Sequence, residues 1–240
     1  MKSVTRLHPS TAQRAFTCAE LLVILTVVTV LGLVILPALA NGRPRSHRVI
    51  CANNLRQIGL AVQLWSNDHG DDPPWEVTTS NGGTRIHPLA VNTWFQFYWM
   101  SNELRSPKIL FCPSDSGQPA WNFGNGPDGG YVHSSFRNAA TSYVLSHAFE
   151  RVGSAMIAAD RNLGFDGTSG GCNRFGPAWE VSARPLSSRF RWNTNLHNSA
   201  GNLLRLDGRV DQISNTMLDT LQLEPVSDTQ GQFMHLLFPR

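Results

Sequence analysis

Nine residues separate His197 from Asp207, with Gly208 directly after the aspartate. An imidazole and a carboxylate can together bind a divalent metal or move a proton. Asp160, Asp166 and Asp207 add oxygen donors that would suit calcium, but no twelve-residue calcium loop or equivalent spacing surrounds them. His69 with Asp68, Asp71 and Asp72 looks like a metal cluster on paper, yet these residues fall between a helix end and Pro73-Pro74, where polar side chains form a solvated turn. Cys18, Cys51, Cys112 and Cys172 make no CxxC and no Cys/His pair in the sequence, which disfavours zinc. No Walker A loop, G-x-S-x-G elbow or H-E-x-x-H is present, so no enzyme signature is found and no cofactor is expected.

His197 and Asp207-Gly208 have a simpler reading as architecture. Asp-Gly between the apolar runs Asn202–Leu206 and Arg209–Ile213 is the strongest hairpin signal in the chain and predicts a type I′ turn, with His197 hydrogen-bonding that hairpin from just before its first strand. The adjacent Leu203, Leu204 and Leu206 blur the alternation and leave the register open. Further strands are expected at Ile109–Cys112, Ser142–His147 and Ala155–Ala159, and short helices at 93–105 and 215–223.

The elements that carry these residues belong to a chain of 240 residues, 41% hydrophobic and 15% charged, which excludes wholesale disorder and collagen-like repeats. The net charge of +3 is concentrated around one apolar segment, with Lys2, Arg6 and Arg14 before it and Arg43, Arg45, Arg48 and Arg56 after it; the large remainder is mildly acidic. That distribution argues against a nucleic-acid partner. The segment itself, Leu21–Ala40, carries no charge, and as a helix it spans roughly 30 Å, a bilayer's hydrocarbon core. A secretory signal peptide with Ala38-Leu39-Ala40 as its cleavage site is one reading, and a plain signal anchor is another. Neither accounts for Glu20 at the threshold of the apolar run.

Beyond it, Gly42-Arg43-Pro44-Arg45 predicts a kink or a short break. Val49, Ala52, Leu55, Ile58, Val62 and Trp65 then recur at helical spacing, and the helix should end near Asp68. Among the seven tryptophans, the run Trp94, Phe95, Phe97, Tyr98 and Trp99 reads as core, whereas Trp121 in a Gly/Pro-rich loop is the best exposed aromatic. Cys18 would lie in lipid, which leaves at most one bridge among Cys51, Cys112 and Cys172.

The stretch Arg14-Ala15-Phe16-Thr17-Cys18-Ala19-Glu20-Leu21-Leu22, followed by the apolar run and Pro37, resembles the type IV prepilin signature. Counted from Phe16, Glu20 is fifth and Pro37 twenty-second, the places of the family's glutamate and of a proline common in pilins and pseudopilins; Ala15 stands where the family usually has glycine. The resemblance implies cleavage between Ala15 and Phe16 by a prepilin peptidase, N-methylation of Phe16, and pairing of Glu20 with the new amino group of its own or a neighbouring subunit. An unpaired carboxylate so deep in lipid would cost at least a few kcal/mol, which gives that pairing its physical reason. Cys51-Ala52-Asn53-Asn54-Leu55-Arg56-Gln57-Ile58-Gly59-Leu60, Trp65-Ser66-Asn67-Asp68 and Phe111-Cys112-Pro113-Ser114-Asp115 look like the recurrent blocks of a bacterial pseudopilin-like set with a C-terminal H-x9-DG motif, here His197 to Asp207-Gly208. A calcium-binding C-terminal loop in the major pseudopilin of type II secretion is the family precedent for a site at Asp160, Asp166 and Asp207.

The expected fold is α+β, a long N-terminal helix, transmembrane then amphipathic, packed on a small antiparallel sheet with long loops. Its organisation would be a leader over 1–15, a transmembrane and assembly helix over 16–40, an amphipathic continuation over 41–69 and a head over 70–240. The implied function is a non-enzymatic subunit of a type II secretion or type IV pilus-like fibre. It would sit in the bacterial inner membrane with a periplasmic head, or in a cell-surface fibre, with prepilin peptidase, other pseudopilin subunits and the inner membrane as partners. The rival is a tethered or secreted carbohydrate-binding domain.

Overall fold

The computed structural model describes residues 17–147, 155–166, 180–183, 189–218, 227–228, 231–232 and 234–239. Helix α1 (Cys18–Asn67) is fifty residues long and continuous through Pro44, so the break expected at 42–45 does not occur. Pro44 removes one backbone donor, and the intact turns on both sides keep the helix going past it. The chain nevertheless divides at that point into two compact units, Met1–Arg43 and Pro44–Arg240.

In the first unit, Cys18–Leu36 forms a helix with no buried residue, long and apolar enough to cross a bilayer. A membrane anchor and a signal sequence both fit those properties.

The second unit is α+β. After α1 come α2 (Thr93–Trp99), α3 (Ser101–Leu104), and strands β1 (Tyr143–His147), β2 (Met156–Asp160), β3 (Leu163–Asp166), β4 (Glu180–Ala183), β5 (Arg189–Trp192), β6 (Ala200–Arg205) and β7 (Val210–Ser214). Helix α4 (Asn215–Leu218) and strands β8 (Ser227–Asp228), β9 (Gly231–Gln232) and β10 (Met234–Leu237) follow. Among the described residues, six strands form one antiparallel sheet in the order β4-β10-β1-β2-β6-β7, while β3 pairs with β5 and β8 with β9.

Cys51, Leu55, Ile58, Val62 and Trp65 of α1 are buried in one core cluster with Leu145, Ile157, Ala158, Leu204 and Leu237 of the sheet. Val49, expected in this stripe, is exposed, and Cys51 and Ala61 take its place on the buried side. Gly59 lets the helix sit close to β6, since a Cβ there would lie 3.0 Å from Leu204 Cδ1. A second cluster holds Val144, Ala159, Leu203 and Leu236 with Leu163, Trp192, Ile213 and Leu218. Neighbours such as Leu203 and Leu204 therefore enter different cores, and both are fully buried. The sheet is covered on both faces, which explains why its strands read as apolar runs without alternation.

Four of the expected strands are found, as β1, β2, β6 and β7. Ile109–Cys112 is not a strand: Pro107–Leu110 is a 3-10 turn, started by Pro107 and by Ser106, whose hydroxyl accepts from the Lys108 N–H at 3.4 Å. The helix expected over 93–105 is split into α2 and α3 at Met100, and α4 covers the start of the one expected over 215–223.

Candidate functional site

The end of β2, the turn before β6 and two turns of α1 bring together the most unusual polar groups in the described residues. Asp160 is the last residue of β2 and is completely buried. Its Oδ2 accepts from the backbone N–H of Asn202 at 2.8 Å and from Asn202 Nδ2 at 2.9 Å, both from β6 beside it. Its Oδ1 has no hydrogen-bond partner among the described residues. The same Asn202 amide reaches the carbonyl of Arg48 at 3.3 Å, and the Arg48 guanidinium donates to the carbonyls of Gly201 and Ile213 at 3.0 and 3.1 Å, tying α1 to β6 and β7.

His197 precedes β6 and is turned inward by two consecutive non-glycine residues with left-handed backbone, Asn198 (φ 55°) and Ser199 (φ 62°). Such conformations cost on the order of 1 kcal/mol or more each and persist where surrounding structure fixes them. His197 Nε2 lies 3.4 Å from Asp160 Oδ2 and 3.5 Å from Cys112 Sγ, and its Nδ1 has no partner among the described residues. Cys112 follows the 3-10 turn and is joined by a disulfide to Cys51 of α1, with Cα atoms 5.4 Å apart. Cys112 is held by its N–H to Ser142 Oγ at 2.9 Å, and Ser142 in turn donates to Asp115 at 2.6 Å. Asn54, one turn along α1 from Cys51, donates to the Phe111 carbonyl and the Tyr143 hydroxyl, both at 3.1 Å.

Burial dominates the electrostatics here. It pushes the Asp160 carboxyl up to about 7, against the lowering influence of the Asn202 hydrogen bonds and the Arg48 charge. It pushes the His197 imidazole down to about 4, assisted by the charges of Arg48 and His47. Burial also raises the Tyr143 hydroxyl well above its usual value, with Asp160 adding to the effect. At neutral pH His197 is thus an uncharged imidazole, the form that ligates metals. It meets both Cys112 and Asp160 through the same nitrogen, so the cluster lacks the geometry in which a carboxylate orients one ring nitrogen while the other serves a nucleophile.

The hairpin at Asp207-Gly208 is present, but its turn is not type I′. Gly208 alone has positive φ (83°); the Gly208 N–H donates to the Arg205 carbonyl at 2.9 Å, and Arg205 and Arg209 are linked across the loop. This is a three-residue connection in which a turn is followed by a left-handed glycine, and Asp207 contributes by accepting from the Arg209 N–H at 2.9 Å. Nor does His197 bond to the turn. With Met156 opposite Arg205 and Ala159 opposite Leu203, Asp160 and Asp207 stand at opposite ends of the β2–β6 pair, too far apart to share an ion. Asp166 lies in the separate β3–β5 ribbon, its side chain outside the described residues.

Ala15, Phe16, Cys172 and Trp179 lie outside the described residues, as does the side chain of Pro37, whose backbone is helical. Glu20 is exposed and bonded to Thr17. His69 stacks on Trp65 with ring centroids 3.6 Å apart and contacts the Trp65 carbonyl at 2.8 Å, as part of a turn. Trp94, Phe95 and Phe97 are core, with Tyr98 and Trp99 packed against them. Trp121 is exposed, and the Lys108 ammonium lies 4.8 Å from its ring centroid.

Sequence reasoning missed that Cys51 and Cys112 meet His197, and that Asn202 and Arg48 surround the Asp160 beside it. A signal was there: three of the motif blocks named above, those holding Cys51, Cys112 and His197, meet in this one cluster. Set beside protein-family models, curated proteins and solved structures, the chain matches none of them.

Proposed function

We propose that this chain is a pseudopilin-like structural subunit, cut before Phe16 by a prepilin peptidase and assembled through its N-terminal helix into a type II secretion or type IV pilus-like fibre. The observation that carries the reading is a single helix, Cys18–Asn67, with no buried residue among its first nineteen and with its last turns packed into the core of an α+β head. A bare apolar helix needs lipid or other copies of itself around it, and Glu20 at its start supplies the charge that orders such copies by pairing with a neighbouring amino terminus. The head then serves as the folded body that the helix displays from the inner membrane, on its periplasmic side.

Amino-terminal sequencing of the protein from envelope fractions tests this. A start at Phe16 supports processing; a start at Asn41 would establish a signal peptide, and an intact Met1 a plain anchor. In parallel, Glu20→Ala should abolish crosslinking between subunits while leaving the head folded. Crosslinking that survives Glu20→Ala would overturn the assembly reading.

A further inference from the structure

We infer that the Cys51–Cys112 disulfide masks a zinc site: once it is reduced, Cys51 Sγ, Cys112 Sγ, His197 Nε2 and Asp160 Oδ2 bind one Zn(II) tetrahedrally. This goes beyond the assembly reading and does not depend on it.

The donor atoms of Cys51, Cys112 and His197 already lie within 4.8 Å of one another. Tetrahedral zinc with Zn–S of about 2.3 Å and Zn–N or Zn–O of about 2.0–2.2 Å sets a sulfur-to-nitrogen edge of roughly 3.5 Å and a nitrogen-to-oxygen edge of roughly 3.4 Å. The observed Cys112 Sγ to His197 Nε2 and His197 Nε2 to Asp160 Oδ2 distances are 3.5 and 3.4 Å. Two edges of the tetrahedron therefore exist before any metal arrives. Two adjustments remain: separation of the two sulfurs to about 3.7 Å, which side-chain rotation can supply with the Cα atoms 5.4 Å apart, and approach of the Asp160 carboxylate, which touches His197 but stands outside the 4.8 Å group of Cys51, Cys112 and His197.

The surroundings suit the ion as well. Two thiolates and one carboxylate give a zinc complex a charge of about −1, and the Arg48 guanidinium beside Asp160 offsets it. Asn202 would keep its two hydrogen bonds to Asp160 and hold that ligand in place, as partners of metal ligands commonly do. Asp160 Oδ1 is buried without a hydrogen-bond partner among the described residues, so the carboxylate keeps one oxygen uncommitted. Cys112 is positioned from behind by Ser142 and Asp115.

The redox step balances with a dithiol as reductant. Its two thiols give two electrons and two protons to the Cys51–Cys112 bond and close into their own disulfide, leaving two protein thiols; Zn(II) then displaces both thiol protons to solvent. The reverse step takes a disulfide oxidant: the two thiolates release Zn(II), pass two electrons to the oxidant's S–S bond, which leaves as two thiols on taking two protons from solvent, and the Cys51–Cys112 bond re-forms, so one cluster has two alternative closures, one covalent and one metallic.

The test uses the full chain in detergent micelles. One sample is reduced with a dithiol that is then removed anaerobically, and one is left oxidised; both are titrated with Zn(II) against a chromophoric chelator, then with Co(II). The expected result is one tightly bound Zn(II) per chain after reduction and none before it, with Co(II) giving the thiolate charge-transfer and ligand-field bands of a tetrahedral site. His197→Ala should weaken binding at least about 100-fold. Should that variant fail to fold by circular dichroism, Asp160→Asn carries the same comparison. Equal affinity in reduced and oxidised chains, a six-coordinate cobalt spectrum, or unchanged affinity in a folded His197 or Asp160 variant would overturn the site.

Discussion

Thr17 and Glu20 close the start of the membrane-length helix on each other: the Thr17 backbone N–H and hydroxyl donate to Glu20 Oε2 at 2.8 and 2.9 Å, and the Glu20 N–H donates to Thr17 Oγ1 at 3.3 Å. This reciprocal arrangement is a capping box, and it satisfies backbone donors that lipid would leave unpaired. Glu20 thus has a local task in the single chain besides the intersubunit one proposed for it. The two can be separated, because a capping box accepts glutamine as well as glutamate, whereas a charge pair does not. Glu20→Gln should preserve helix content and membrane insertion yet reduce intersubunit crosslinking by about tenfold or more, which is the loss of roughly 1.4 kcal/mol or more per contact. Wild-type crosslinking in Glu20→Gln would make capping the residue's whole purpose.

The β6–β7 turn makes a prediction about backbone strain. Gly208 sits at φ 83°, where a β-branched side chain is strained whatever space surrounds it. Gly208→Val should destabilise the chain by about 1–3 kcal/mol and lower its melting temperature. Asp207→Ala removes one exposed hydrogen bond to Arg209 and should cost no more than about 1 kcal/mol. Both effects should be the same with calcium or chelator present, since Asp207 and Asp160 cannot share an ion. A calcium-dependent shift lost in Asp207→Ala would restore the metal reading.

Leu55 and Leu60 on one helix should respond very unequally to the same change. Leu55 is fully buried against the sheet and Leu60 is 58% exposed. Leu55→Ala should cost about 2–5 kcal/mol and Leu60→Ala no more than about 0.5 kcal/mol, read by urea titration in detergent. If instead Leu60→Ala leaves stability intact but weakens subunit crosslinking, its exposed side chain belongs to the fibre contact.

Glu76 should set a pH dependence. Burial pushes its carboxyl from 4.5 up to about 7, with the Arg85 charge opposing and Asp72 reinforcing, and Oε1 has no hydrogen-bond partner among the described residues. The folded chain holds this proton more tightly than the unfolded chain, so the favourable contribution is complete below about pH 4.5 and is lost as pH rises to about 7. Glu76→Gln should accordingly raise stability at pH 8 by on the order of 1 kcal/mol, after allowing for partial solvent screening, and leave it nearly unchanged at pH 4.5. Thermal melts of both forms across that range check the sign.

Reduction should be costly where zinc is withheld. The Cys51–Cys112 bond closes a loop with a sequence separation of 61 residues, for which chain entropy gives a stabilisation of about 4 kcal/mol. Unfolding of reduced, metal-free protein should therefore begin at markedly lower denaturant than that of the oxidised form.

The helix was legible because Leu55, Ile58, Val62 and Trp65 repeat at the helical period along one face, and β1, β2, β6 and β7 because their apolar runs are bounded by turn residues. What escaped did so for identifiable reasons. Strands β4, β5 and β10 have four residues each, too few to show a period. Ile109–Cys112 is as apolar as a strand, but its burial comes from a 3-10 turn that places Leu110 and Cys112 in the core. Leu203 and Leu204 defeated any reading based on one wet face. The site was hardest, because His197 is 85 residues from Cys112 and 37 from Asp160, and no spacing rule spans such intervals; the β2–β6 register brings Asp160 to His197, and the disulfide to α1 with the Ser142 hydrogen bond brings Cys112.

Strand β10, residues 234–237, lies inside the sheet between β4 and β1. Synthesis proceeds from the other end, so β1 and β4 wait with open edges for the partner that joins them. Until then the nascent head exposes two ladders of unpaired backbone groups, the surface most prone to mispairing with another chain. A chain interrupted anywhere before residue 234 would thus lose the middle of its sheet rather than a dispensable tail.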